Sequence, residues 1–258
     1  FDTWESASDL GADPLFRHSR NVLNPDGSVA YVEWWDPLVK EEQVTDYELG
    51  LAWRARNVSI TLGGYWMDFE NEIVPYGGVN EDGSSIRGNA ERTLHRGLEL
   101  GLRARLSARD GLNLAASRSW DEFETFIFHD WDGTVSDLSG NPIALFPEYL
   151  AMAAWDRDWR PGVRTRLRFN ASGRQHLDNT GDTARTIDPW TTIDLSLWLA
   201  LGDLGLAPLD GATAFLHARN LGDTEYETWG YYDDFEYFEN RYTPAATRNF
   251  VLGLDYDF

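Results

Sequence analysis

From Val163 the chain alternates without a break. Val163, Thr165, Leu167, Phe169 and Ala171 fall on one side, and Arg164, Arg166, Arg168, Asn170 and Ser172 on the other. Successive side chains of a β-strand point to opposite faces, so the segment reads as a strand with one apolar face and one face of in-register arginines. Such a face has no place inside a dry sandwich, because an unpaired buried charge is costly. It needs water. The division recurs along the chain. Leu98, Leu100, Leu102, Ala104 and Leu106 oppose Glu99, Gly101, Arg103 and Arg105. Tyr47, Leu49, Leu51 and Trp53 oppose Glu48, Gly50, Ala52 and Arg54; Val58, Ile60, Leu62 and Trp66 oppose Ser59, Thr61, Gly63 and Tyr65. Thr191, Ile193, Leu195, Leu197 and Leu199 oppose Thr192, Asp194, Ser196 and Trp198.

Repeated long strands of this kind suit an antiparallel transmembrane β-barrel, with lipid outside and a wet interior. Composition agrees: 12 Trp, 11 Tyr and 13 Phe beside 23 Gly favour strands and turns over helices. The longest apolar stretch, Leu195–Leu201, is interrupted by Ser196 and falls far short of the ~20 residues of a membrane helix. A formal charge of −21 repels phosphate backbones, which excludes nucleic acid as a partner. The absence of Cys excludes disulfides and thiolate chemistry. No signal-peptide pattern opens the chain, so such a peptide is expected to have been removed or to lie outside this piece.

Alternation and turn residues place nine strands at about 44–56, 58–74, 91–107, 111–127, 148–160, 163–177, 188–201, 212–220 and 246–258. The apolar face of 148–160 is ambiguous. Arg118 shares a side with Leu112, Leu114 and Ala116, where lipid exposure at mid-membrane would cost about 2–4 kcal/mol; a rim position or a bulge is expected. Short turns at Asn57, Ala108–Asp110 and Pro161-Gly162 alternate with long links over 75–90, 128–147, 178–187 and 221–245, and the apolar link 202–211 belongs with the short set. Tight turns at one end and long loops at the other is the outer-membrane pattern. Asp26-Gly27-Ser28, Asp82-Gly83-Ser84 and Asp132-Gly133-Thr134 read as turn tips, since none continues into a calcium-loop spacing.

Four segments carry a family resemblance. Glu42-x4-Tyr47-Glu48-Leu49-Gly50 resembles a strand opening of the TonB-dependent outer-membrane receptors. Asn89-Ala90 followed by His95-Arg96-Gly97-Leu98-Glu99 resembles another of their strands. Asn220-Leu221-Gly222-Asp223-x2-Tyr226 resembles a third motif, with Gly222 in place of the usual aromatic. Tyr242-x-Pro244-x3-Arg248 resembles the closing segment. The final strand, with Phe250, Leu252, Leu254, Tyr256 and Phe258 in phase, resembles the signal by which outer-membrane barrels are recognised for assembly. Over residues 41–258 the order fits the C-terminal portion of that family's barrel, which has roughly 22 strands. Residues 1–40 are then a long extracellular loop or the end of a preceding strand, and the plug domain is absent. Nine strands alone would leave two open edges in hydrocarbon, so an open sheet or a strained closure is expected.

The resemblance implies energised import of a scarce ligand, most often a ferric siderophore, across the outer membrane of a Gram-negative bacterium. The implied partners are TonB through the missing plug region, the barrel-assembly machinery, membrane lipid and lipopolysaccharide, and a ferric chelate or other small ligand. No catalytic constellation is present: His18, His95, His129, His176 and His217 are not at metal-ligand spacing, and no H-E-x-x-H or G-x-S-x-G occurs. Neither enzyme activity, metal nor cofactor is expected. Ligand capture points to the aromatic and acidic stretch 225–242, where Trp229, Tyr231, Tyr232, Tyr237 and Phe238 offer rings for stacking; an aromatic girdle with loop packing is the competing account. Tyr31, Trp34, Trp35, Phe126, Phe128 and Trp131 are a second aromatic set in other loops. Arg103, Arg105, Arg164, Arg166 and Arg168 are expected to line the lumen, pairing with acidic groups or guiding an anionic chelate. A passive porin or barrel adhesin, and a soluble carbohydrate-binding β-protein, are the alternatives. A plug upstream, or recovery without detergent, would separate them.

Overall fold

The computed structural model describes residues 16–37, 39–79, 85–129, 134–233 and 237–257. Nine strands form one antiparallel sheet: β1 Gln43–Arg54, β2 Val58–Val79, β3 Ser85–Arg105, β4 Asp110–Thr125, β5 Tyr149–Arg160, β6 Val163–Ser172, β7 Trp190–Ala200, β8 Ala212–Arg219 and β9 Asn249–Tyr256. Each pairs with the next in sequence, so the sheet is an uninterrupted meander with β1 and β9 at its edges. It is not closed among the described residues. Each expected strand is present.

The register assembles the alternating residues into two continuous faces. Leu112, Trp155, Leu167 and Leu195 stand side by side, as do Leu114, Ala153, Phe169 and Ile193. This resolves β5: Tyr149, Ala151, Ala153 and Trp155 belong to the apolar face, and Leu150, Met152, Ala154 and Asp156 to the polar one. No second sheet covers the apolar face among the described residues, so Leu49 is 74% exposed and Leu252 80%. That arrangement rules out a two-sheet sandwich with a dry core. Arg118 sits at the edge of this face, beside Tyr149 at the start of β5. It pairs with Glu148 at 3.1 Å and lies over Trp120. Tyr47, Trp66, Arg96 and Trp120 form one row across four strands. Beyond them the same face turns to Asp68, Arg92, Glu122 and Glu124, joined by the pairs Arg92–Asp68 at 2.6 Å and Arg96–Glu122 at 3.0 Å. A band of aromatics followed by charges marks where an apolar belt ends.

The two ends of the sheet differ as expected. The connection 161–162 is a tight turn, with Gly162 at φ +77°; 201–211 is compact and holds a 3-10 turn at Ala207–Leu209. The links at the other end are themselves β-structured. β2 and β3 continue to Val79 and Ser85, so 75–79 and 85–90 are paired strand rather than loop. Ile127–His129 pairs with Val135–Asp137, Gln175–His176 with Thr186–Ile187, and Glu227–Asp233 with Glu239–Pro244. Within residues 1–40, Phe16–Leu23 pairs with Val29–Pro37. Its tip is the expected Asp-Gly turn: the Ser28 amide donates to the Asp26 carboxylate at 2.9 Å, and Gly27 takes φ +86°. The other two Asp-Gly tips lie largely outside the described residues, as does Phe258.

The buried hydrophobic cluster is at the long-loop end of β2, β3 and β4. Val74, Ala90, Phe123, Phe126 and Ile143 are buried together, with Tyr76, Phe128 and Leu138 against them. The Phe123 and Phe126 rings stack at 4.6 Å. Asn179 ties three connections together: its amide donates to the Pro75 carbonyl at 2.7 Å, its side-chain oxygen accepts from the Ala144 amide at 2.8 Å, and its own carbonyl accepts from Asn141 at 3.0 Å. Truncating Phe123 to Ala should cost these loops about 3–5 kcal/mol of local stability. Hydrogen exchange should rise across 126–148 while amides of β6 to β9 keep their protection. Equal loosening of the whole sheet would show that the loops are not a separate packing unit.

Candidate ligand-binding loops and the polar wall

The aromatic stretch folds into the hairpin Glu227–Asp233 with Glu239–Pro244. It is braced against residues 177–187. The Tyr242 hydroxyl donates to the Thr186 carbonyl at 3.0 Å, and the Asn240 amide to the Ala184 carbonyl at 2.9 Å. Gly230 lies so close to the Arg241 carbonyl and Leu177 that a side chain there would collide with both. The Arg185 guanidinium stands 3.6 Å from the centre of the Tyr232 ring and is held by Asp178 at 2.6 Å.

Of the expected ligand residues, the fold brings Trp229 and Tyr231 together, ring centroids 5.6 Å apart. Tyr232 has one face taken by Arg185. Tyr237 lies under Arg241, 4.5 Å from its guanidinium, and Arg241 also pairs with Glu239 at 3.0 Å. Phe238 is exposed and its backbone takes φ +53°, a left-handed conformation rare for a bulky residue. Of the second aromatic set, Phe126 and Phe128 pack in the cluster beside Val74 and Tyr76. Phe126 is buried core and Phe128 packs edge-on against Tyr76. The side chains of Trp34 and Trp35, and all of Trp131, lie outside the described residues.

The expected lumen arginines divide. Arg166 grips Asp156 through two bonds, 2.9 and 3.1 Å, and Arg164 shares that carboxylate at 3.0 Å. Arg168 pairs with Asp194 at 3.1 Å; Asp194 also accepts from Asn170 and from the Asn220 backbone amide. These three are neutralised by neighbouring strands. Arg103 and Arg105 have no carboxylate partner among the described residues.

One cluster escapes sequence reasoning. His95 is buried on the polar face, with Nε2 2.9 Å from Glu72 and Nδ1 2.8 Å from Asp121. Thr93 donates to the same Glu72 carboxylate. Phe69 and Phe146 pack on the imidazole. Strict alternation puts Glu72 on the opposite side from Met67 and Phe69. The reset comes at Asn71, whose left-handed φ of +56° turns Glu72 inward to line one cleft with them. Asn tolerates that conformation, but only the Asn89 amide donating to the Asn71 carbonyl at 2.6 Å shows that it is used. The described residues contain no group of His, Asp and Glu arranged to hold a metal ion.

A sequence-family model described as TonB dependent receptor-like, beta-barrel, matches residues 6–221. This chain belongs to the TonB-dependent receptor β-barrel family. The family is one of transporters, not enzymes, and resides in the Gram-negative outer membrane. No curated protein matches the chain in sequence. Among solved structures, the ferric yersiniabactin uptake receptor FyuA from Yersinia pestis is similar at 19% identity and TM-score 0.61, over 83% of this chain and 29% of that one. The siderophore receptor PiuA from Acinetobacter baumannii gives 17% and 0.66, over 86% and 29%. The copper transporter OprC gives 15% and 0.65, over 92% and 35%. The chain thus spans about a third of the length of these receptor-family structures.

The brace between hairpin and loop 177–187 carries a pH prediction. Burial pushes the His176 imidazole below its ordinary 6.5, Arg174 adds to this, and the Asp182 backbone opposes it. A group depressed in the fold costs nothing while neutral in both states, so stability is full above the unfolded value and falls as pH drops through it. Exchange protection across 175–187 should therefore fall between pH ~7 and pH ~5, and His176→Asn should flatten that part of the profile. An unchanged profile in the variant would assign the pH response to other groups.

Proposed function

We propose that this chain supplies barrel wall and extracellular ligand-binding loops to a TonB-dependent outer-membrane transporter that imports a ferric siderophore or a similar scarce ligand. The observation that carries the reading is the braced aromatic hairpin. Trp229 and Tyr231 are set side by side on a strand fixed by Tyr242, Asn240 and the Tyr232–Arg185 stack. Rings held this way give large contact area with few rotors to order on binding. Tyr237 and Phe238 extend the same surface at the hairpin tip. Of the similar proteins named above, one is described as a ferric yersiniabactin uptake receptor, one as a siderophore receptor and one as a copper transporter, which favours a metal-related cargo.

The remaining partners follow from the same reading. The apolar face from Tyr47 to Leu252 meets membrane lipid, and the charged rim beyond Trp66 and Trp120 meets lipopolysaccharide. Phe250, Leu252, Leu254 and Tyr256 project from the apolar face of the last strand, and with Phe258 they present the signal read by the barrel-assembly machinery. TonB acts through a plug region that fills the lumen.

In the full-length receptor, Trp229→Ala with Tyr231→Ala should weaken binding of its best chelate, chosen from a panel of ferric siderophores and copper(II), by more than about tenfold, at about 1–2 kcal/mol per ring. Tyr232→Ala should chiefly loosen 177–187, seen as faster proteolysis there. Titration by tryptophan-independent isotope uptake reads the first effect. Binding unchanged within error in the double variant would leave the rings as packing alone. Deleting Phe258 should lower the amount of heat-modifiable protein in the outer membrane; equal amounts would remove the assembly role of the final strand.

A further inference from the structure

A cation stands on the apolar face near the short-turn end of the sheet. Arg157 follows Tyr149, Ala151, Ala153 and Trp155 in phase along β5. Its register partners, Asp110 on β4 and Thr165 on β6, lie two residues before the apolar-face residues Leu112 and Leu167. All three strands are paired on both sides, so these neighbours are complete within the chain. The guanidinium lies between two indoles, 4.5 Å from the centre of the Trp159 ring and 5.8 Å from that of Trp155. Each indole is fixed in turn: Trp159 Nε1 donates to the Thr165 hydroxyl at 2.9 Å, and Trp155 Nε1 to Asp110 at 3.1 Å. Asp110 meets Arg157 at Nη1, 3.0 Å away, and also accepts from the Ser107 hydroxyl at 2.6 Å. Arg109, exposed in the adjoining turn, donates to the Trp159 carbonyl at 3.1 Å and brings a second guanidinium to the same strand end. From Tyr149 at one margin to Trp159 at the other is about 33 Å of strand, or about 25 Å of height at a barrel tilt near 40°. That is the height of an apolar band, which puts Trp159 at the second membrane interface and Arg157 just inside it.

We propose that Arg157, with Arg109 beside it and the Trp155 and Trp159 rings around it, binds the headgroup phosphate of a phospholipid in the leaflet at the short-turn margin. The proposal rests on the reading that the apolar face meets lipid. A guanidinium carries five donors in a planar fork, and phosphate oxygens accept from such a fork in pairs. Asp110 meets this fork at Nη1 alone. Arg157 and Arg109 against Asp110 leave one positive charge at this margin, which matches the single negative charge of a phosphodiester. Tryptophan rings sit at headgroup level, and here they hold the guanidinium in place, so little side-chain freedom is lost on binding. The next row of the face supplies the apolar part of the site. Leu167 and Leu195 stand exposed beside Trp155, where the acyl chains of the same lipid would lie. The site is on the outer wall at the short-turn end, apart from the aromatic hairpin, and is independent of the cargo.

Native mass spectrometry of the full-length receptor in detergent tests this. The protein is mixed with phosphatidylglycerol or with a diacylglycerol of the same acyl chains, and the lipid retained on it is counted. The wild type should retain phosphatidylglycerol in preference to diacylglycerol. Arg157→Gln should lower that preference about fivefold, and Arg109→Gln by a smaller factor. An excess of inorganic phosphate should leave the bound lipid in place; displacement would assign the site to free phosphate and overturn the lipid assignment. An equal preference in the wild type and both variants would overturn the proposal. Should Arg157→Gln fail to assemble, Arg109→Gln in its exposed turn decides alone, and an unchanged preference there overturns it. Equal retention of both lipids by the wild type would remove the phosphate site and keep the lipid-facing wall. Retention of neither would overturn the lipid-facing reading together with the proposal.

Discussion

The backbone ladder is the constraint on which the rest depends. Every strand from β2 to β8 is paired on both sides, so its amides and carbonyls are met within the sheet, as a structure in contact with hydrocarbon requires. Continuous pairing in turn fixes which residues are neighbours across strands. A slip of one residue would exchange the two faces of a strand. With Leu195 beside Leu167 and Arg168 beside Asp194, a slip would carry arginine to the apolar side and leucine to the polar side. The apolar belt, the ion pairs and the position of the aromatic row all follow from that single choice of register.

The sheet has no dry interior to hold it together, and what buried core there is has moved to one end. Phe123, Phe126, Ile143 and Val74 pack beyond the charged rim, where the chain meets water on both faces and hydrophobic burial again stabilises a fold. This explains why long connections are hairpins instead of loose loops. Asn179 then joins separate connections by hydrogen bonds, and Arg185, held by Asp178 of its own connection, reaches across to Tyr232. The aromatic hairpin is held against residues 177–187 by the Arg185–Tyr232 stack and the Tyr242 and Asn240 hydrogen bonds.

Charge on the polar face is balanced locally where acids and bases face across a strand pair, and unbalanced where they do not. Asp156 serves two arginines and Asp194 serves one arginine and two amides. His95 between Glu72 and Asp121 is the same device in reverse, with one base between two acids and both of its nitrogens engaged. Such contacts are worth most where water is scarce, because an unpaired charge there carries its full desolvation cost. The balance within the wall is therefore a record of which groups need nothing further and which still call for a partner.

Alternation alone determined the nine strands, the meander, the two faces and the asymmetry of short and long ends, because period two is a property of the isolated strand and survives any tertiary context. It also placed the five arginines on one side. It did not settle β5, whose Ala, Met and Trp residues are apolar in both phases; pairing with Leu112 and Leu167 decided that. It did not reveal that 75–79 and 85–90 are strand, because beyond the rim neither face has to be apolar and the signal vanishes. It gave no sign that Glu72 meets His95, since one left-handed residue at Asn71 resets the phase and no local pattern announces it. The stacking of Arg185 on Tyr232 and the pairing of Arg166 with Asp156 and of Arg168 with Asp194 rest on contacts between different strands or connections. Those contacts are chosen by register and by packing between connections, and neither is written in any one stretch of the chain.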